Sequence, residues 1–306
     1  MTPTAPPQPT GDAHVPFTPC LNPATLSGVP LPQFLALAAD AGFPAVELSI
    51  QQAQTHGLDR VRGLLDEHGL SVAAASGILP AGPVLPAPLL VDADTYATCL
   101  DGLDQRLAAF ADLSCPLATT VLNPRSPLPQ EQALEVALNR IDDLAQAAAR
   151  HGVKLAVEAV SVEAGLPPEL DGPHPVADTL PQLSALLKDV GHAGAAVLVD
   201  SFHWAAAGAD PDHITGLQTN AVAHVQIADI PMTGAAHDWT DALRLFPGDG
   251  ALPWPAFAEA LTTVGYTGVV CVELFNPVLR ALPTEEIARR SYHAATRCWS
   301  PAEASR

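Results

Sequence analysis

The chain has 306 residues, 48% of them hydrophobic, enough to bury a substantial core in one large domain or two ordinary ones. Its 33 acidic residues against 14 basic ones leave a formal charge of −19, a field that repels phosphate backbones and anionic lipid surfaces and argues against nucleic acid and membranes as partners. No apolar run reaches the roughly 18 residues of a membrane helix, and five scattered cysteines without a CxxC pair read as buried, reduced thiols of a cytoplasmic protein.

Residues 1–15, opening MTPTAPPQPTGDAH, lack the positive start and apolar stretch of a signal peptide and read as a flexible tail ahead of a single catalytic domain over 16–306. PFTPCLN (16–22) predicts the first strand. LALAADAGFPAVELS (35–49) then sets a pattern: a helix ending in Gly, a short apolar run, and a polar residue. Gly closes a helix in a left-handed cap, and the unbroken apolar run is that of a strand buried on both faces. GLLDEHGLSVAAAS (63–76) repeats the pattern, and the proline-rich SGILPAGPVLPAPLLVDAD (76–94) follows as a loop. PLATTVLN (116–123), QAAARHGVKLAVEAV (146–160), LLKDVGHAGAAVLVDS (186–201), AVAHVQIAD (221–229) and ALTTVGYTGVVCVEL (260–274) supply five more strands, with a second proline-rich loop over 164–179. Eight strands alternating with helices over this length predict an α/β fold, a single-domain (β/α)8 TIM barrel. An open doubly wound sheet has the same alternation, but no GxGxxG or GxxxxGK[ST] follows any strand.

Polar residues close four successive strands: Glu158 in KLAVEAV, Asp200 in AVLVD, Gln226 in AHVQIAD and Glu273 in VVCVEL. A barrel of this kind keeps its chemistry at the C-terminal ends of its strands. Carboxylates there are costly to bury unpaired, and with no lysine nearby a divalent cation is the simplest partner. Asp200 alone reads equally as the cap of the following turn. His203, three residues on in the loop above the barrel, reads as a solvated histidine or as a substrate contact. His224 points to the same face as Gln226 and lies deeper, a core histidine or the alternative third-strand ligand. Oxygen donors suit Mn²⁺ or Mg²⁺ best, with Zn²⁺ or Co²⁺ the other options. Such an ion acidifies the carbon between a carbonyl and a hydroxyl by stabilising an enediolate, and two carboxylates on opposite sides remove and return the proton.

On these residues the chain resembles the xylose-isomerase-like TIM-barrel family of sugar isomerases and epimerases, most in the pattern of its inosose (2-keto-myo-inositol) isomerases. CLNPATL (20–26), VLVDSFHWAAAG and LRLFPGDGALPWPAF followed by VVCVELFNP carry the likeness, which covers nearly everything after the tail. The resemblance implies Glu158, Asp200, Gln226 and Glu273 as metal ligands, Glu158 and Glu273 doubling as the acid-base pair, and His203 and Arg244 holding oxygens of a small keto-sugar or cyclitol. Arg244 otherwise reads as a surface arginine. Asn22 reads as a further substrate contact or as an Asn-Pro turn. Gln226 departs from the inosose isomerase pattern, which has His there; hydroxypyruvate isomerases and 3-dehydroshikimate dehydratases have Gln, so a lyase on the same site is the alternative. A non-catalytic binding barrel predicts the loss of a ligand or an acid, and none is lost. A Schiff-base aldolase would need Lys154 or Lys188, one at the wrong end of its strand and the other on a helix. The long proline-rich loops either cover the site or meet a neighbouring subunit in a homo-oligomer.

Overall fold

The computed structural model describes residues 17–80, 89–162, 164–168, 170–190 and 194–299; the tail over 1–15 and part of each proline-rich stretch lie outside them. Eight parallel strands form a closed barrel: β1 (Thr18–Leu21), β2 (Ala45–Ser49), β3 (Ser71–Ser76), β4 (Leu117–Leu122), β5 (Lys154–Ala159), β6 (Ala195–Asp200), β7 (Val222–Ile227) and β8 (Val269–Val272). Each pairs with the next in sequence and β8 pairs with β1, which excludes the open doubly wound sheet.

The αβ repeats fold as their punctuation dictates. Helix Leu31–Ala41 starts with Pro in its first turn and ends at Gly42, whose φ of 103° lets its N–H reach back to the last carbonyls. That conformation burdens any residue with a Cβ. The helix turns Leu31, Phe34, Leu35, Leu37 and Ala38 inward. The layer between helices and barrel is the main core, where a fully buried side chain such as Phe34, Phe110 or Phe257 contributes about 1.5–3 kcal/mol.

Inside the barrel the side chains are small. Cys20, Ala45 and Cys271 form a separate apolar cluster. Side chains alternate across a strand, so the residues two further on, Asn22, Glu47 and Glu273, face the same interior one layer nearer the C-terminal rim. The register shifts between Val46 and Glu47 against β3, and between Val197 and Leu198 against β7. The second shift sets Leu198 opposite His224 and Asp200 opposite Gln226.

Above this rim the loops after β4 and β5 are tied by an antiparallel pairing of Arg125–Ser126 with His174–Pro175. All five cysteines are buried and free. Lys154 opens β5 at the far end of the barrel, and Lys188 ends helix Leu180–Lys188. Among the described residues no helix is long and apolar enough to cross a membrane.

Candidate active site and metal centre

Asn22 follows β1, Glu158 lies one residue before the end of β5, Asp200 ends β6, Gln226 lies one before the end of β7, and Glu273 follows β8. The barrel therefore brings all five to one rim, where they form two connected groups.

The first group is built on Asp200. Its Oδ1 accepts from the backbone N–H of Phe202 (2.7 Å) and His203 (3.2 Å), capping helix Ser201–Ala206. This corrects the placement of His203 in a loop: the Asp200 cap starts a helix where the strand ends, and His203 is buried in its first turn. Ligand atoms of Glu158, Asp200 and His203 all lie within 4.8 Å of one another.

Arg244 is no surface residue; it is 1% exposed. Its Nη1 donates to Asp200 Oδ2 at 2.6 Å and its Nε to Asp241 Oδ1 at 2.8 Å. Its Nη2 end lies 3.2 Å from His203 Nε2, and Phe202 and Phe275 stack on the guanidinium at 4.9 and 5.3 Å. Sequence reasoning missed Asp241, which reaches Arg244 through a single turn of 3-10 helix and carries no pattern signal.

The second group is built on Glu47, also missed although AVELS closes a strand by the same rule that singled out the other acids. Its carboxylate accepts from Asn22 Nδ2 (2.9 Å), His224 Nε2 (2.7 Å) and Gln226 Nε2 (3.2 Å), and the Cys271 sulfur lies within 4.8 Å of a carboxylate oxygen. Asn22 Nδ2 and Gln226 Nε2 also donate to Glu273 Oε1, at 2.9 and 3.1 Å. Asn22 is a turn residue as well, its Oδ1 accepting from Ala24 N at 2.7 Å. His224 sits a layer below Gln226 with Nε2 committed to Glu47 and Nδ1 buried without a partner, and Gln226 Oε1 is likewise buried without one. The groups meet where Arg244 Nη1 approaches Glu273 Oε2 at 3.6 Å.

Charge is unevenly distributed over this site. Glu47 is held below its ordinary value: burial opposes the charge, but His224 and the surrounding donors outweigh it. Asp241 is likewise held low, with Arg244 and His203 overcoming desolvation. Burial pushes the Glu158 carboxyl well up, and the neighbouring Asp200 and Glu273 charges add to this. Burial also pushes Glu273 well up, against the pull of Arg244. His203 is lowered, mainly by burial. Among these groups, Glu158 and Glu273 keep 11% and 12% of their side chains exposed while Asp200 and Glu47 keep 0% and 3%. The two carboxyls with raised affinity for a proton are therefore more exposed than Asp200 and Glu47 and less so than Asp241, at 42%.

The residues present fit a divalent cation. Glu158, Asp200 and Glu273 offer carboxylate oxygens, and a buried amide oxygen with no hydrogen bond needs an electropositive partner. Arg244 supplies one positive charge beside these acids.

The family described as xylose isomerase-like TIM barrel matches residues 35–298. Among characterised proteins, the 3-dehydroshikimate dehydratase of Pseudomonas putida is 27% identical over 194 residues, covering 62% of this chain and 28% of the dehydratase. Inosose isomerase of Bacillus subtilis is 28% identical over 157 residues, 51% of this chain and 52% of that one. A putative hydroxypyruvate isomerase of Streptomyces coelicolor is 28% identical over 262 residues, 80% of this chain and 85% of that one. The chain thus spans under a third of the dehydratase and about half of the inosose isomerase. A xylose isomerase domain protein from Alicyclobacillus acidocaldarius superposes with a TM-score of 0.79 at 25% identity, covering 92% and 98% of the two chains. The IolI protein, solved with a zinc atom bound, superposes at 0.78 and 20% identity with the same coverage.

Proposed function

Because the chain belongs to the xylose isomerase-like TIM barrel family, we propose that it is a divalent-metal-dependent isomerase or epimerase of a small keto-polyol or keto-sugar of the inosose class. The observation that carries this reading is the gathering of Glu158, Asp200, Gln226 and Glu273 at one rim of the barrel, with Glu158 and Glu273 the two partly exposed carboxyls among them. Reversible proton transfer at carbon needs one group ionised to take the proton and one protonated to return it, with affinities near neutrality. Glu158, Asp200, Gln226 and Glu273 would hold the ion, with His203 Nε2, 3.6 Å from Glu158, close enough to join them or to bind substrate. When bound, the ion supplies the acidification of a carbon next to a carbonyl. Mn²⁺ or Mg²⁺ suits the oxygen donors best.

The chain's own groups do the rest. Glu273 Oε1 is tied by Asn22 and Gln226, so Oε2, which faces Arg244 Nη1 at 3.6 Å without a hydrogen bond, would be the atom that exchanges a proton. Glu158 works from the other side, next to His203. The Nη2 end of Arg244 and the His203 ring are the groups for substrate hydroxyls. The similarity to a dehydratase supports a second reading on the same atoms, in which proton removal is followed by loss of a β-hydroxyl.

The test is a panel of inososes, ketohexoses, hydroxypyruvate and 3-dehydroshikimate incubated with Mn²⁺-loaded protein in D₂O. Deuterium incorporation next to the carbonyl is expected for one of them, and Glu273→Gln should slow it at least 10²-fold with the fold intact. Exchange at the wild-type rate in that variant would sink the two-carboxylate reading. A rising aromatic absorbance with dehydroshikimate would select the lyase.

A further inference from the structure

The Gln226 amide is oriented by its neighbours. Its Nε2 lies 3.2 and 3.4 Å from the two oxygens of Glu47 and 3.1 Å from Glu273 Oε1. Turning the amide over would set its oxygen against two carboxylates, so Oε1 is kept on the opposite side, buried and without a partner. An amide oxygen left so is destabilising until an electropositive partner meets it. The same Glu47 carboxylate receives Asn22 Nδ2, which in turn holds Glu273 Oε1. From below it is anchored by His224, with the Cys271 sulfur alongside. One buried carboxylate thus has donors on all sides, and two of them belong to residues that also hold Glu273.

We propose that Glu47 is a positioning residue: through Gln226 Nε2 it fixes the Gln226 amide oxygen toward a divalent cation, and through Asn22 Nδ2 it holds the donor that ties Glu273 Oε1. The inference rests on the proposed metal site and adds to it a residue that touches neither ion nor substrate. Outer partners of this kind fix ligand orientation, and their loss typically weakens metal affinity 10–100-fold.

Mn²⁺ alone is the probe, titrated by calorimetry into full-length protein stripped with chelator. Wild type is expected to bind, and Glu47→Gln to bind 10–100-fold more weakly while the metal-free protein keeps its far-ultraviolet spectrum. The exchanged pair separates positioning from general support of the fold. Gln226→Glu should weaken Mn²⁺ binding in the wild-type background, where it faces Glu47 and Glu273, and strengthen it in the Glu47→Gln background, where an amide can again donate to it. Equal affinity of wild type and Glu47→Gln, or the same factor for Gln226→Glu in both backgrounds, would overturn the positioning role. No Mn²⁺ binding by wild type would overturn the metal site itself, and the positioning role with it. Should Glu47→Gln not fold, Glu47→Asp keeps the charge one methylene short of Gln226, and wild-type affinity in that variant would overturn the role equally.

Discussion

Arg244 Nη1 lies 2.6 Å from Asp200 Oδ2 with both side chains at most 1% exposed, so neither charge has water to fall back on. Removing one member of such a pair leaves the other buried and uncompensated. Arg244→Met, which keeps the stem and loses the charge, should therefore lower the unfolding free energy of metal-free protein by about 3–5 kcal/mol, read from urea denaturation. A loss below about 1 kcal/mol would mean that Asp200 is stabilised by other means. At this scale much of the site is legible in the sequence. Asp200, Glu158, Gln226 and Glu273 each interrupt an apolar run, and a polar group that ends a buried strand needs a partner. Glu47 obeys the same rule, but its partners are residues 22, 224 and 226, which adjoin it only once the barrel closes. The buried state of Arg244 was illegible too, because LRLFPGDG reads as an exposed loop until Phe202 and Phe275 cover it.

At the level of elements, the segment between β7 and helix Trp254–Thr263 brings Arg244 to the site, and it is held in shape by Asp229. That buried carboxylate accepts from the backbone N–H of Ile230, Gly248 and Leu252 and from Trp254 Nε1, each at 2.8 Å. Gly250 closes the arrangement, since a Cβ there would overlap the Ile230 carbonyl oxygen and crowd Asp229. Gly250→Ala should accordingly cost about 1–3 kcal/mol of stability. Gly63 is the control: it lies inside helix Leu58–His68 with nothing within 4 Å of an added Cβ, so Gly63→Ala should instead stabilise by about 0.5–1 kcal/mol. Equal effects of the two in chemical denaturation would contradict the role of Gly250. Five of the eight strands follow Gly-terminated helices in the sequence and the other three rest on their own short runs, the first predicted over 16–22 and found at Thr18–Leu21, the seventh over 221–229 and found at Val222–Ile227. The pairing of Arg125–Ser126 with His174–Pro175 is not legible in this way, because two residues are too few to show alternation.

For the whole molecule, closure of the barrel is what makes a site out of scattered residues. β1 and β8 come from opposite ends of the chain and pair over Thr18 to Leu21 and Val269 to Val272. The four proposed ligands run from Glu158 to Glu273 on four strands that share neighbours only through the sheet. A denatured chain cannot gather them, so an ion would bind the native state almost alone, and its full binding free energy would appear as stability. Divalent ion at 100 times its dissociation constant should raise the unfolding free energy by about 2.7 kcal/mol, moving the urea midpoint up with an unchanged slope. The Glu158→Gln, Glu273→Gln double variant should show no such gain. A midpoint that rises equally in both proteins would place the effect on the exposed acids of a chain with a net charge of −19 and not on the rim. Sodium chloride at matched ionic strength separates the two causes, since screening acts on distributed charge and leaves a buried four-ligand site little changed.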